Sequence, residues 1–272
     1  MARRIKLTLE YDGTDFKGWQ VQSGLAPGEN GAAARTVQGE VEHAIRIATG
    51  HPIRIAGASR TDTGAHALGQ VASLLLPDEV AMPTDQICHA INSHLARDVS
   101  VTRAEEVDLN FHAQRDATGK IYSYSLFSRY ERSARLRRTH WHVRFALDTE
   151  AMRQAAQSLI GTHDFTSFVT RLNETQLQRN AEGKPALETT REIRWIHILT
   201  DPEFPERICI RLEGSGFLYQ MVRTIVGSLV DVGRGFRPPE WMTEVLTAHD
   251  RRKAGPTAPA LGLCLERVLY EG

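Results

Sequence analysis

Apolar and polar residues alternate at the start of the chain, which is the pattern of a strand with one buried face. Ile5, Leu7 and Leu9 fall on one side of this segment because successive side chains of a strand point in opposite directions. Apolar residues then recur at three- and four-residue spacing behind Thr36, which predicts a capped helix. The first half is predicted to contain strand 4–10, helix 36–49, strands 53–56 and 69–76, a helix from Thr84 as its cap, and strand 99–107.

The second half repeats this order of elements. Its predicted elements are strand 120–127, helix 149–160, strands 191–199 and 207–213, helix 217–232, a short helix from Pro239 and strand 262–270. Two successive β-α-β-β-α-β units predict the α+β class, with two ferredoxin-like domains at residues 1–110 and 111–272. Their antiparallel sheets are expected to meet at a central cleft, which is a natural place for a ligand.

Composition narrows the class of protein. The chain has 272 residues, 41% of them hydrophobic, which is enough to bury a core. No apolar run approaches the roughly 20 residues that span a bilayer, and the N-terminus lacks the apolar core of a signal peptide. Three cysteines lie far apart without a C-x-x-C pair, which argues against a disulfide framework or a zinc site. We therefore expect a cytoplasmic protein without a membrane segment.

Positive charge is concentrated in one stretch although the net charge is zero, with 33 basic and 33 acidic residues. Residues 111–144 contain eight Lys and Arg residues against two acidic ones. This excess fits either a solvated arginine-rich loop or a surface that contacts phosphates. The eight residues are Arg115, Lys120, Arg129, Arg132, Arg135, Arg137, Arg138 and Arg144.

The stretch GASRTDTGAHALGQV, residues 57–71, places charged residues between two apolar runs. Arg60 is expected to keep the Asp62 carboxylate ionised, and an ionised carboxylate can act as a nucleophile or a base. The alternative is a turn aspartate that binds its own backbone, which local chemistry favours because TDTG is a good turn sequence. His66 is interpreted as structural, since no cluster of further metal ligands accompanies it.

Three other residues allow two interpretations each. Tyr122 and Tyr124 lie two apart on a predicted strand and so share a face. Such a pair is usually part of a core, but it can also stack on unpaired bases. Arg223 is the only charged residue in the otherwise apolar turns at residues 217–230 of the predicted helix. It either extends to solvent or reaches a carboxylate in the cleft.

Seven ordered stretches over both halves resemble the tRNA pseudouridine synthase A family from end to end. They are YDGTDFKGWQ (11–20), RTVQGEVEHAI (35–45), SRTDTGAHALGQV (59–71), FHAQRDATGKIYSY (111–124), GTHDFTSF (161–168), EGSGFLYQMVRTIVGSLVDVG (213–233) and APALGLCLERVLY (258–270). The resemblance implies isomerisation of uridine to pseudouridine at positions 38, 39 and/or 40 of the tRNA anticodon stem–loop. It also implies a homodimer, and a reaction without metal or organic cofactor.

The resemblance also assigns roles to residues. Asp62 matches the catalytic aspartate, and Arg60 matches the arginine that helps the target base leave the helix. Tyr122 matches the tyrosine that packs on the flipped base, and Arg223 the arginine that pairs with the catalytic aspartate. Leu263 belongs to the apolar wall of the pocket. Attack of Asp62 on C1′ and abstraction of the C2′ proton both remain open.

Some positions depart from the family pattern. Residues 22–34 are expected to be an insertion, and Gln114 stands where the family tends to have arginine, so that Arg115 takes over a phosphate contact. Lys120 replaces a frequent arginine and binds phosphate as a point charge. A second interpretation of the chain is a catalytically inert tRNA-binding protein or folding chaperone. A metal phosphodiesterase that uses Asp62 and His66 is a third.

Overall fold

The computed structural model describes residues 1–21, 34–170, 174, 179, 182–183 and 185–271. All but the last residue of the predicted insertion 22–34 lie outside these described residues, as do residues 171–173, 175–178, 180–181 and 184. Two compact units divide the chain. The first comprises Met1–Thr118 and Cys264–Gly272, and the second comprises Gly119–Leu263. Within the described ranges, no helix is both long and apolar enough to cross a membrane.

Helices and mostly antiparallel strands are both present, as in the α+β class. The strands are β1 (Arg3–Tyr11), β2 (Ala56–Gly57), β3 (His66–Leu76), β4 (Val99–Val107), β5 (Ala117–Ser128), β6 (Trp141–Val143), β7 (Gly161–Asp164), β8 (Thr190–Thr200), β9 (Arg207–Gly214) and β10 (Leu263–Tyr270). The helices of the described residues are α1 (Val37–Thr49), α2 (Thr84–Asn92), α3 (Thr149–Gln157), α4 (Met221–Gly233) and α5 (Trp241–Ala248).

The first unit is built on a mostly antiparallel sheet in the order β4-β1-β3-β10, with β2 paired to β3. The alternation predicted for β1 is confirmed, because Ile5, Leu7 and Leu9 are fully buried. The cap predicted for α1 is confirmed as well. The Thr36 hydroxyl accepts a hydrogen bond from the Gly39 N–H at 3.2 Å, which satisfies a donor of the first turn.

The second unit has an antiparallel sheet in the order β5-β9-β8-β7, and β6 runs parallel to β5 at its end. Asp148 caps α3 by accepting hydrogen bonds from the N–H groups of Glu150 and Ala151. All residues of α4 except Arg223 are buried. This helix therefore forms the centre of the core of the unit, and Arg223 is its one partly exposed position.

Several predicted boundaries are wrong, and each has a physical cause. Strand 53–56 is reduced to Ala56–Gly57, because the backbone of Ile55 binds side chains of α1 instead of another strand. Ile53 and Ile55 are buried. The apolar residues of this segment therefore indicated a buried position correctly, but they did not show that the segment pairs with another strand. The helix predicted at 217–232 begins only at Met221. Thr84 is not a cap, since its hydroxyl accepts a hydrogen bond from Arg3 and Pro83 occupies the cap position.

Two short strands were absent from the prediction. β6 has three residues and β7 has four, which is too short for a periodic pattern to stand out. The first four residues of the matched stretch 161–168 form β7, which pairs antiparallel with β8.

The last strand joins a different part of the fold from the one predicted. The sequence places strand 262–270 in the second domain, whereas Cys264–Gly272 belongs to the first compact unit. There β10 pairs parallel to β3, with Cys264 opposite His66 and Leu265 opposite Ala67. The observed units change at residue 118. The division at residue 110 stays a prediction about domains.

Candidate active site

A tight turn between β2 and β3 carries Asp62. The Asp62 carbonyl oxygen accepts a hydrogen bond from the Ala65 N–H at 3.1 Å, which closes the turn. Gly64 has a φ of 81°, a left-handed conformation that glycine adopts without steric cost. The turn predicted from TDTG is therefore present. Asp62 itself is half-buried, and Arg60 in the same loop is exposed.

The N-terminal segment that follows β1 supports this turn. The hydroxyls of Tyr11 and Thr61 are hydrogen-bonded at 2.8 Å, and the Trp19 N–H donates to the Thr61 carbonyl at 3.1 Å. A Cβ atom at Gly13 would lie 1.8 Å from the Ala65 carbonyl oxygen, so only glycine allows this approach. The first and third of the matched stretches thus form one packed body around the Asp62 turn.

A fully buried glutamine holds the other end of the loop. The Gln70 Nε2 atom donates to the Ser59 carbonyl at 2.7 Å, and Gln70 Oε1 accepts from the Ser59 N–H at 3.2 Å. Gln70 was not singled out in the sequence. An amide residue between buried positions of a strand is the signal that could have identified it.

His66 has the structural role predicted for it. Its Nδ1 atom accepts a hydrogen bond from the Gly13 N–H at 3.1 Å, and the residue is 8% exposed. The same Nδ1 atom lies 3.2 Å from an Asp12 carboxylate oxygen, so His66 contacts the segment that follows β1 at two points. Among the described residues, no group of three or more His, Cys, Asp and Glu side chains could hold a metal ion.

The candidate substrate-binding residues Tyr122, Arg223 and Leu263 all belong to the second unit. Tyr122 is 6% exposed on β5, and its ring meets the edge of Phe217 with 5.2 Å between the ring centres. Leu263 is buried at the first position of β10. One side of the Tyr122 ring is therefore packed against another aromatic ring, as the interpretation of this tyrosine as a core residue predicts.

Arg223 is bound to the segment that precedes β10. Its Nε atom donates to the Ala258 carbonyl at 2.6 Å, and the Ala258 N–H donates back to the Arg223 carbonyl at 3.0 Å. The Arg223 side chain therefore does not simply extend into solvent. The two hydrogen bonds with Ala258 hold the guanidinium group in a defined position beside α4.

Tyr124 holds the same segment from the strand side. Its hydroxyl donates to the Pro259 carbonyl at 2.6 Å, and the ring is fully buried. Burial raises the pKa of Tyr124 above its ordinary value, so the phenol remains protonated and able to donate. The possibility that Tyr124 stacks on a base is wrong for this structure, because its ring has no exposed face.

The candidate RNA-binding residues are divided between the two units. Arg115 is exposed in the first unit, whereas Lys120 is partly buried on β5 in the second. Burial lowers the pKa of Lys120, and the positive charge of Arg191 lowers it further. Arg191 is a second cation at this position that the sequence analysis did not identify. The loop between β5 and β6 has five exposed cations, which are the candidates Arg135, Arg137 and Arg138 together with Arg129 and Arg132.

Comparison with known proteins bears on the whole chain. A family model described as tRNA pseudouridine synthase matches residues 8–115 and 155–271. The tRNA pseudouridine synthase A 2 of Clostridium perfringens is 40% identical over 98% of this chain and 100% of its own length. The tRNA pseudouridine synthase A of Acetivibrio thermocellus is 38% identical over the same shares. The corresponding protein of Moorella thermoacetica is 41% identical over 98% of this chain and 99% of its own.

A solved archaeal box H/ACA sRNP Nop10–Cbf5 complex has a TM-score of 0.31 and 10% identity, covering 92% of this chain and 69% of that one. That likeness is too weak to support an argument about fold. The family model and the near full-length relatives are sufficient to establish the family. The chain belongs to the tRNA pseudouridine synthase A family, and it is therefore an isomerase that acts on tRNA and not an inert RNA-binding protein.

Proposed function

We propose that this isomerase converts uridine to pseudouridine at position 38, 39 and/or 40 of the tRNA anticodon stem–loop, with Asp62 as its catalytic residue. The observation that carries the proposal is the support of the Asp62 turn. Tyr11 and Trp19 bind Thr61 from one side, and Gln70 binds Ser59 from the other. A carboxylate on so well-supported a turn is held in one position for attack, as positional catalysis requires.

The reaction rearranges one nucleoside without a net change of oxidation state. The bond between C1′ and N1 breaks, C1′ bonds to C5, the C5 hydrogen leaves as a proton, and N1 gains a proton. Asp62 either attacks C1′ and forms a ribosyl ester, or it removes the C2′ proton and forms a glycal. In both routes the detached uracil turns before it bonds again, so the pocket must keep it from escaping.

The target base must first leave the stem, which costs a few kcal/mol of stacking and pairing. We assign Arg60 to the space that the flipped base leaves, since this side chain is exposed on the Asp62 loop. We assign Tyr122, Arg223 and Leu263 to substrate binding, with the Tyr122 ring packing on the base. Phosphate contacts are assigned to the candidate RNA-binding residues Arg115, Lys120, Arg135, Arg137 and Arg138.

Mapping of pseudouridines in a tRNA transcript treated with the purified protein tests the proposal. Product is expected only at positions 38–40, and Asp62→Asn is expected to abolish it while tRNA binding remains. Asp108→Asn is the matched control, because Asp108 is another turn carboxylate of the first unit, bound to the Asn110 N–H at 2.8 Å. Pseudouridine at other positions would contradict the proposed site, and wild-type product from Asp62→Asn would remove Asp62 from the mechanism.

The family resemblance also supports a homodimer, a cytoplasmic location and a pair of ferredoxin-like domains. A solution mass near twice the 30.4 kDa of one chain would support the dimer, and a mass of one chain would contradict it. Fractionation of cells tests the location, and separate expression of residues 1–110 and 111–272 tests whether either predicted domain folds alone.

A further inference from the structure

A cavity of about 560 Å³ lies in the second unit, at the end of β5 and the loop that leads to β6. Its apolar lining comes from Phe127, Leu136 and Leu261, together with the ring of Trp141. The candidate substrate-binding residues of this unit are not among those that line it. Its volume falls within the range of roughly 300–1,000 Å³ that is typical of ligand sites.

The polar lining of the cavity is cationic. Arg132 and Arg137 line it, and none of its described lining residues is acidic. The Arg132 guanidinium has no hydrogen bond or ion pair with any other described residue. Arg137 donates from Nη1 to the Ala134 carbonyl at 2.9 Å, which holds its guanidinium in place. Two arginines without a carboxylate favour an anionic ligand, and guanidinium geometry suits phosphate.

Two rings in the lining add a donor and an acceptor. The Trp141 indole N–H has no hydrogen-bond partner in the part of the chain that the structure describes. The His142 Nε2 atom lies 2.8 Å from the Arg129 carbonyl, which can only accept, so Nε2 carries the proton. In the neutral ring, the Nδ1 atom of His142 is the acceptor. A donor and an acceptor beside apolar ring surface match a planar ligand with polar edges, such as a nucleobase.

We propose that this cavity binds one unpaired nucleotide of the RNA substrate, separate from the uridine that is isomerised. Arg132 and Arg137 bind its phosphate, and its base packs on Trp141. Unpaired bases are commonly held on aromatic side chains next to arginines that bind the backbone. The proposal rests on the proposed function, since it takes RNA as the substrate. The proposal gives Arg137 a different role from its neighbours Arg135 and Arg138, because those two do not line the cavity.

Two charge-matched double variants test the phosphate contacts. Arg132→Gln with Arg137→Gln and Arg135→Gln with Arg138→Gln each remove two positive charges from the same loop. If the cavity binds a phosphate, the first pair weakens tRNA binding about tenfold, as expected for loss of charge-assisted hydrogen bonds. The second pair weakens it about threefold or less, because phosphate contacts made by exposed side chains outside the cavity are screened by salt. Equal losses from the two pairs would overturn the proposal.

Trp141 provides the test of base packing. Trp141→Ala is expected to weaken tRNA binding about fivefold or more, the effect of losing one stacked base, whereas Trp141→Phe retains most of the affinity. Because Trp141 also packs against Tyr124, with 6.3 Å between ring centres, the melting temperature of each variant is measured as well. In the wild-type protein, the NMR signal of the Trp141 indole N–H is expected to shift on titration with uridine 5′-monophosphate. An unmoved signal with both this nucleotide and tRNA would overturn the proposal.

Turnover separates this inference from the proposed function. At saturating tRNA, the Arg132 and Arg137 double variant is expected to keep the wild-type kcat and to show a raised KM. If the wild-type protein forms no pseudouridine but its Trp141 signal still shifts with RNA, the proposed function fails and the cavity assignment stands. If the wild-type protein is active and the two double variants bind tRNA equally, the cavity assignment fails alone.

Discussion

The side-chain amide of Gln70 forms two hydrogen bonds with the backbone of Ser59, at 2.7 Å from Nε2 to the carbonyl oxygen and at 3.2 Å from the N–H to Oε1. Ser59 is three residues before Asp62, and Gln70 lies on β3 after the turn. The amide thus binds both the donor and the acceptor of the Ser59 backbone. This pair of hydrogen bonds fixes the start of the loop to β3.

We predict that Gln70→Leu lowers kcat more than it changes KM for tRNA. The substitution removes both hydrogen bonds between the Gln70 amide and the Ser59 backbone, which costs about 1–3 kcal/mol of stability. It also lets the loop that carries Asp62 move from its position. Steady-state kinetics and urea unfolding give the two measurements.

Gln86→Leu is the matched control, because Gln86 is exposed on α2 and its side chain is remote from the loop in sequence. It is expected to change stability by less than about 0.5 kcal/mol. Should Gln70→Leu change only stability and leave kcat untouched, Gln70 would be a core residue without a positioning role.

We predict that Gly13→Ala destabilises the first unit and lowers activity, because the new methyl group would lie 1.8 Å from the Ala65 carbonyl oxygen. Relief requires movement of the backbone after Asp62, and such overpacking costs about 3 kcal/mol or more. Gly50→Ala is the control. Gly50 has a φ of 75° with no atom within 4 Å of a Cβ, so only backbone strain of about 1–2 kcal/mol is expected. Similar melting temperatures for the two variants would contradict this difference.

We predict that Tyr124→Phe changes the dependence of stability on alkaline pH. Burial raises the folded-state pKa of Tyr124 above the ordinary tyrosine value of about 10, so at high pH the native state keeps a proton that the unfolded chain releases. The stabilisation from this group is complete below pH 10 and is lost as pH rises from there toward the folded pKa. The wild-type free energy of unfolding should therefore fall more steeply than that of the variant above pH 10, by about 1.4 kcal/mol per pH unit.

Denaturant unfolding at pH 8 and at several values above pH 10 checks this slope. At pH 8 the variant should be less stable by about 0.5–1.5 kcal/mol, because the hydrogen bond to the Pro259 carbonyl is lost. Parallel stability curves for the two proteins across the alkaline range would show that Tyr124 does not titrate as stated.

We predict that reversing Arg135, Arg137 and Arg138 to Glu weakens tRNA binding and reduces its dependence on salt. The three side chains are exposed, and each lost phosphate contact should lower the salt slope by roughly 1. Affinity measured over a series of salt concentrations gives the slope. If it is unchanged, this loop does not face the RNA.

The sequence was sufficient to place the candidate catalytic residue on its turn. The TDTG turn, the capped helix after Thr36 and the strand that holds Ile5, Leu7 and Leu9 all follow from local chemistry. The residues that hold this turn in place could not be predicted from local chemistry. Gln70 and Gly13 act through backbone atoms that lie 11 and 52 positions away in the chain, and a sequence pattern does not report such distances.

By itself, the sequence determined the element types, the buried faces and the family motifs, because periodicity and capping depend on neighbouring residues. Only the tertiary structure decided that β10 pairs with β3, that Arg223 binds the Ala258 carbonyl, and that Arg132 and Arg137 line a cavity with Trp141. These relationships join residues whose order along the chain carries no information about distance. They depend on which strand edges and side chains complement one another once the core has formed.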